Sequence, residues 1–304
     1  MGKTLYLETS SGISGDMFVA AMIDLGADPE ALERALNSIP ADGFMVEISS
    51  VKKSGIACCD FNVILDAAHE NHDHDMAYLY GPAPVSSAAP QEESHHCHGC
   101  EDEEAHHCHC HEDEEVHHCH CHEDEEAHHC HGHGGEEPHH HHEHHHHHGR
   151  HLAEILGIID ATDMTDSAKA LAGKMFHIVA EAESLAHHMP LEEVHFHEVG
   201  AIDSIVDIIA AAVTFDSLGI TDVIIPCLTE GRGTVRCQHG VLPVPVPATM
   251  NIIEAYDMPL TIMEAKGEYV TPTGAAIAAA ICTTHQLPKA YRIVATGLGA
   301  GKRS

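Results

Sequence analysis

Residues 94–149 constrain this 304-residue chain more than any other stretch, because they are four near-copies of one eleven-residue unit followed by an almost pure histidine tract. The units read HHCHGCEDEEA from His95, HHCHCHEDEEV from His106, HHCHCHEDEEA from His117 and a decayed HHCHGHGGEEP from His128. Ordering a backbone costs roughly 1–2 kcal/mol per residue, and a segment with almost no apolar side chains has nothing to offset it. The composition therefore predicts a disordered insertion over 67–149, flanked by a first folded part at 1–66 and a second at 150–304 that belong to one domain.

Imidazole nitrogen and thiolate sulfur suit late first-row metals such as Ni, Zn, Cu and Co, whereas Mg and Ca prefer oxygen. The central units supply His106, His107, Cys108, His109, Cys110, His111, His117, His118, Cys119, His120, Cys121 and His122 as candidate ligands. Donors at every second or third position, repeated, give many interchangeable coordination sets and no single fixed site. The intervening acidic blocks add a field that concentrates cations. A solvated linker without a metal role is the plainer reading; an expression tag would explain only the last run of histidines.

The formal charge is −34 with histidines neutral, and between Glu92 and His148 there are 17 acidic residues with no Lys or Arg, half of that excess. Phosphate neutralisation along a nucleic acid needs clustered Lys and Arg, so nucleic-acid binding is not expected. The N-terminal MGKTLYLETS has no basic start followed by an apolar run, and no stretch approaches a membrane span, so neither secretion nor membrane insertion is expected and the cytoplasm is the expected location. In that reducing compartment the twelve cysteines read as metal ligands or small core residues and not as disulfides.

Outside the tract the pattern predicts strands at 3–8, 222–228, 260–263 and 291–295, a hairpin of 44–51 with 56–65, and helices at 29–37, 151–159, 166–188, 203–218, 248–256 and 273–282, with another from the 11–15 turn to Gly26. Alternating strands and helices imply an α/β fold, a mixed sheet covered by helices.

Four places carry candidate chemistry. The turn at Ser14, Gly15 and Asp16 joins a strand to a helix N-terminus, a seat for phosphate or carboxylate, although many α/β proteins have such loops without a ligand. Asp16 reads equally as an acidic residue complementing the helix dipole. In VHFHEVGAIDSIVD, His195 and His197 alternate like strand residues, with Glu198 and Asp203 within a turn's reach. Two histidines with carboxylates suit divalent-metal or acid–base work, or a hydrogen-bonded structural feature. Arg232 and Arg236, in a chain with 14 Lys and Arg, suggest a held phosphate or else surface ion pairs. Nearby Cys237 and His239 read either as ligands or as packing. Glu268, Thr271 and Thr273 sit at another strand-to-helix junction. No Walker A loop, GxGxxG fingerprint or GxSxG elbow is present.

SGISGDM at Ser11, VKKSGI at Val51, GRHL at Gly149, HFHEVGAIDSIVDI at His195, GTVRCQHGVLPVPVPAT at Gly233 and GEYVTPTGAA at Gly267 occur in an order that resembles the nickel insertion proteins of the lactate racemase maturation pathway. The resemblance covers the chain outside the repeats, and a His-rich insertion before GRHL is also similar to that family. It implies that nickel is placed into a pyridinium mononucleotide bearing two thiocarboxylates, giving a carbon–nickel bond with consumption of cytidine triphosphate, and Mg2+ or Mn2+ accompanying that nucleotide. It implies as partners the pincer-nucleotide precursor, a C-terminal companion domain or chain that binds the cytidine nucleotide, and apo lactate racemase or related pincer enzymes. The family continues past the GLGAGKRS at which this sequence stops, so the chain reads as the first of two products of one gene, or as a fragment. A non-catalytic nickel store is the alternative, and it would need the repeats but not His195, His197, Glu198, Arg232 or Arg236.

Overall fold

Strand β1 (Lys3–Tyr6) leads into helix α1 (Gly15–Asp24) in the computed structural model, which describes residues 2–66, 150–194, 196, 201–237 and 239–302. The repeats, with every tract ligand between positions 106 and 122, lie outside the described residues, as do His195, His197 and Glu198. Helix α2 (Pro29–Ser38) starts as its sequence dictates: Pro29 takes the first helical position and the Asp28 carboxylate accepts from the backbone N–H of Glu30 at 3.0 Å and Ala31 at 3.4 Å. Strands β2 (Phe44–Lys53) and β3 (Ile56–Leu65) form the expected antiparallel hairpin. Ser54 and Gly55 both have positive φ, 49° and 84°, as a two-residue turn matching strand twist requires.

The second segment supplies α3 (Leu152–Ala161), α4 (Asp166–His187), α5 (Ile202–Leu218), β4 (Ile220–Ile224), β5 (Leu228–Cys237), β6 (Gly240–Val244), α6 (Pro247–Ala255), β7 (Leu260–Lys266) and α7 (Pro272–Ile281). Helix α5 is buried over most of its length and forms the centre, packed on α1, α2, α4 and β3, with its polar residues concentrated near its two ends. Helix α7 buries an unbroken run from Ala275 to Ile281, whose small side chains let α4 and α6 approach closely. One apolar core holds Phe18, Met22 and Phe61 together with Ile155, Phe176, Ile205 and Leu228. Burying each such side chain contributes about 1.5–3 kcal/mol.

The molecule is α/β, but its strands do not join into one sheet. Among the described residues β1 pairs in parallel with β4, β2 pairs with β3, and a mixed sheet runs in the order β6-β5-β7, antiparallel on one side of β5 and parallel on the other. Three expected elements are corrected. The strand expected at 222–228 is two strands, because the chain leaves β4 after Ile224 and enters β5 at Leu228. The stretch around Arg232 and Arg236, for which the pattern gave no strand, is the β5–β6 hairpin; its glycines and prolines hid the alternation, and Pro243 is tolerated because β6 is an edge strand. Residues 291–295, expected as a strand, form none: Ile293 and Val294 are exposed, at 66% and 84%.

Candidate functional site

Four helices begin on one cavity of about 720 Å3, which is lined at Ser14, Gly15 and Asp16 (start of α1), Asp203 and Asp207 (start of α5), Pro247 and Ala248 (start of α6), and Thr271 and Thr273 (start of α7). Its size falls within the roughly 300–1,000 Å3 usual for small-molecule sites. Helix N-termini present unpaired N–H groups and the positive end of the dipole, so their convergence favours an anion. At α1 and α5 that end is answered by a first-turn carboxylate, Asp16 or Asp203; α6 and α7 carry no acidic residue in their first turns. Arg236, Lys53 and Lys302 also line the cavity. The wall thus carries carboxylates and basic side chains together with four helix starts.

Each group is held by its local chain. Asp16 is 6% exposed; its Oδ1 accepts from the Met17 N–H at 2.8 Å and from the Ser14 hydroxyl, and its Oδ2 lies 4.0 Å from Lys302 Nζ. Lys302 also bonds Asp60 Oδ1 at 3.1 Å and the Phe61 carbonyl at 3.3 Å, tying the C-terminal segment to the hairpin. Asp203 and Asp207, one helical turn apart, share a face of α5. Gly15 is required there, since a Cβ on it would stand 2.5 Å from Asp207 Oδ2. Thr271 caps α7 by accepting from the Gly274 N–H at 3.1 Å, while its own N–H donates to the Ile13 carbonyl at 3.1 Å. The start of α7 is therefore pinned to the loop that starts α1.

Of the residues expected from sequence, the structure brings Ser14, Gly15, Asp16, Asp203, Arg236, Thr271 and Thr273 to this cavity. It does not bring Arg232, which is about half exposed and ion-paired with Glu264 across β5 and β7. Glu268, read from the sequence at the same junction as Thr271 and Thr273, also lines the cavity, while the cavity residues that the sequence passed over include Asp207, Glu183, His187 and Lys302. Asp207 was within reach, lying four positions after Asp203 in a helical pattern. Glu230 was also passed over: fully buried, its Oε1 accepts from the backbone N–H of Gly231 at 2.7 Å and Tyr269 at 2.6 Å. It holds the loop before α7, and no local pattern announces it. The glycines of GLGAG serve close packing, since a Cβ on Gly299 would stand 2.0 Å from the Met17 carbonyl oxygen. Among the described residues no group of three or more His, Cys, Asp or Glu is set to hold a metal ion, and no helix is long and apolar enough to cross a membrane.

An α/β scaffold with converging helix N-termini, basic side chains and buried carboxylates around one cavity defines the class of α/β proteins whose site is of small-molecule size. Comparison makes this specific: the chain belongs to the nickel insertion protein family, which matches residues 5–304. It is 42% identical, over its whole length, to the pyridinium-3,5-bisthiocarboxylic acid mononucleotide nickel insertion protein of Alkaliphilus metalliredigens, covering 58% of that protein. Proteins of the same name from Geobacillus kaustophilus and Acetivibrio thermocellus are 33% and 31% identical over 99% of the chain, which covers 56% and 57% of them. The chain thus spans a little over half the length of these relatives. No solved structure gives a significant match.

Proposed function

We propose that this chain inserts nickel into pyridinium-3,5-bisthiocarboxylic acid mononucleotide to form the nickel-pincer cofactor, acting in the cytoplasm with a C-terminal companion domain or chain that brings cytidine triphosphate with Mg2+ or Mn2+. The observation that carries this reading is the family match along residues 5–304, with 42% identity to a protein named for that step. Nickel is here a substrate, as is the mononucleotide; apo lactate racemase or a related pincer enzyme receives the product.

In this reading the mononucleotide phosphate lies against the N-termini of α6 and α7, whose first turns carry no acidic residue, with Arg236 and the Thr271 and Thr273 hydroxyls. Ser14, Gly15 and Asp16, at the start of α1 beside the start of α7, line the same cavity. Insertion breaks a ring C–H bond and forms a C–Ni bond, so one proton must leave for each nickel ion placed. His195, His197 and Glu198, with Asp203 following in sequence and lining the cavity, are assigned to orient the metal and accept that proton. The tract within 67–149, which lies outside the described residues, is assigned to gather nickel through its His and Cys donors.

Mass spectrometry tests this directly. Mixing the chain with precursor, nickel and cytidine triphosphate, with and without the companion domain, should yield the nickel-pincer mass only in the complete mixture. Absence of product from the complete mixture, with nickel bound to the chain, leaves the storage function instead.

A further inference from the structure

Glu230 is fully buried in β5 and does not itself line the cavity. Taking a carboxylate out of water is costly unless hydrogen-bond donors converge on it, and here the donors are backbone groups. Its Oε1 accepts from the N–H of Gly231 at 2.7 Å and of Tyr269 at 2.6 Å, and the Val270 N–H reaches both oxygens at 3.3 Å. The ladder between β5 and β7 is irregular at this point, since Glu230 pairs with Ile262 but Arg232 pairs with Lys266. Irregularities of this kind re-aim side chains. Gly231 allows the close approach: a Cβ on it would stand 2.1 Å from the Gly267 carbonyl oxygen, and the Gly267 N–H donates to the Arg232 carbonyl at 2.8 Å.

The segment that Glu230 grips, residues 267–271, connects three of the four helix starts on the cavity. Towards α1, the Ile13 N–H donates to the Tyr269 carbonyl at 2.8 Å and the Thr271 N–H donates to the Ile13 carbonyl at 3.1 Å. Towards α6, the buried Thr249 hydroxyl donates to the Val270 carbonyl at 3.3 Å. At α7 the segment ends in the N-cap itself, Thr271. Ordinary capping explains each bond singly. It does not explain why all of them pass through a segment whose Tyr269 and Val270 N–H groups end on one carboxylate. The choice of Glu is specific, because a carboxylate accepts at both oxygens, whereas the amide of Gln would turn an NH2 group towards these donors or leave one of them unsatisfied.

We propose that Glu230 is a positioning residue for the phosphate of the mononucleotide: it touches no ligand, and through residues 267–271 it sets the N-termini of α6 and α7 against that group. The identity of the ligand rests on the nickel-insertion reading. Equilibrium dialysis of the full chain without nickel, against pyridinium-3,5-bisthiocarboxylic acid mononucleotide and against the corresponding nucleoside without its phosphate, separates positioning from general damage. Glu230→Gln should weaken binding of the mononucleotide by about tenfold or more and of the nucleoside by less than about twofold, because the misplaced groups are those that meet phosphate. Ile155→Ala, a fully buried position in α3, should lower the urea midpoint and leave both affinities unchanged. Thr249→Val removes the hydroxyl on the Val270 carbonyl from the other side of the segment and should weaken the mononucleotide about threefold; it carries the test if Glu230→Gln does not fold. An unchanged mononucleotide affinity in Glu230→Gln, or an equal loss for both ligands, overturns the role, as does an unchanged affinity in Thr249→Val where that is the folded variant. If the native chain binds neither ligand, the nickel-insertion reading fails and the role falls with it; if the native chain binds the mononucleotide and the variants bind it equally well, the role alone fails.

Discussion

Gly274 has no room for a side chain, because a Cβ there would stand 2.1 Å from the Ile13 carbonyl oxygen. That contact joins the α7 N-terminus to the loop that starts α1, and both line the cavity. Gly274→Ala should cost about 1–3 kcal/mol, since backbone must shift to admit the methyl group. A lowered urea midpoint with an unchanged slope would register it, whereas Gly157→Ala, in α3 with nothing within 4 Å, should instead stabilise by about 0.5–1 kcal/mol. At Tyr6 the Glu8 carboxylate accepts from the phenol, and that bond, then burial, then the charges of Glu8 and Tyr291 push the Tyr6 pKa up to about 12. The folded value lies above the unfolded one, so this stabilisation is fully present below about pH 10 and is lost as pH rises through about 12. Glu8 is held below the usual carboxylate range by the hydroxyls of Ser10 and then Tyr6, so its contribution is lost as pH falls through that lowered value. Tyrosinate absorbance should show a component ionising near pH 12 that disappears in Tyr6→Phe, and the Glu8 NMR titration should move upward in that variant.

At the scale of elements, legibility followed how local the signal was. Asp28 followed by Pro29 announced α2, and Ser54-Gly55 between alternating runs announced the β2–β3 hairpin, because capping and turn chemistry lie within a few residues. The β5–β6 hairpin was not legible, since Gly231, Gly233 and Pro243 interrupt its pattern and its pairing partners are set by the tertiary fold. Residues 291–295 have a strand's alternation without a strand's hydrogen-bonding neighbour. At the site, the turns at Ser14 and Thr271 could be read as helix starts. Their convergence could not, because it depends on the crossing of α1 and α7. The repeats are an element whose chemistry is local throughout. Deleting 94–148 should remove most of the nickel bound by the chain, and binding by the intact chain should weaken sharply below about pH 6.5, as imidazoles protonate and thiolates become harder to form. Calorimetric titration at two pH values checks this; unchanged stoichiometry in the deletion would contradict it.

At the scale of the whole molecule, the two segments on either side of the insertion share one apolar core and together frame the cavity. Residues 3–6 pair with 220–224, and the Cys59 N–H donates to the Leu298 carbonyl at 2.9 Å. Such a fold divides the proposed work between a repeat with many interchangeable donors and a cavity with a few fixed groups. The difference is geometric: gathering a metal needs donors nearby, while forming a C–Ni bond needs them held beside the substrate. The rate of pincer formation in the His195→Ala/His197→Ala chain, with bulk nickel binding measured on the same sample and the companion domain and cytidine triphosphate supplied, tests this division most directly. The account predicts that product formation is abolished while nickel binding stays nearly intact; insertion at the normal rate would contradict it.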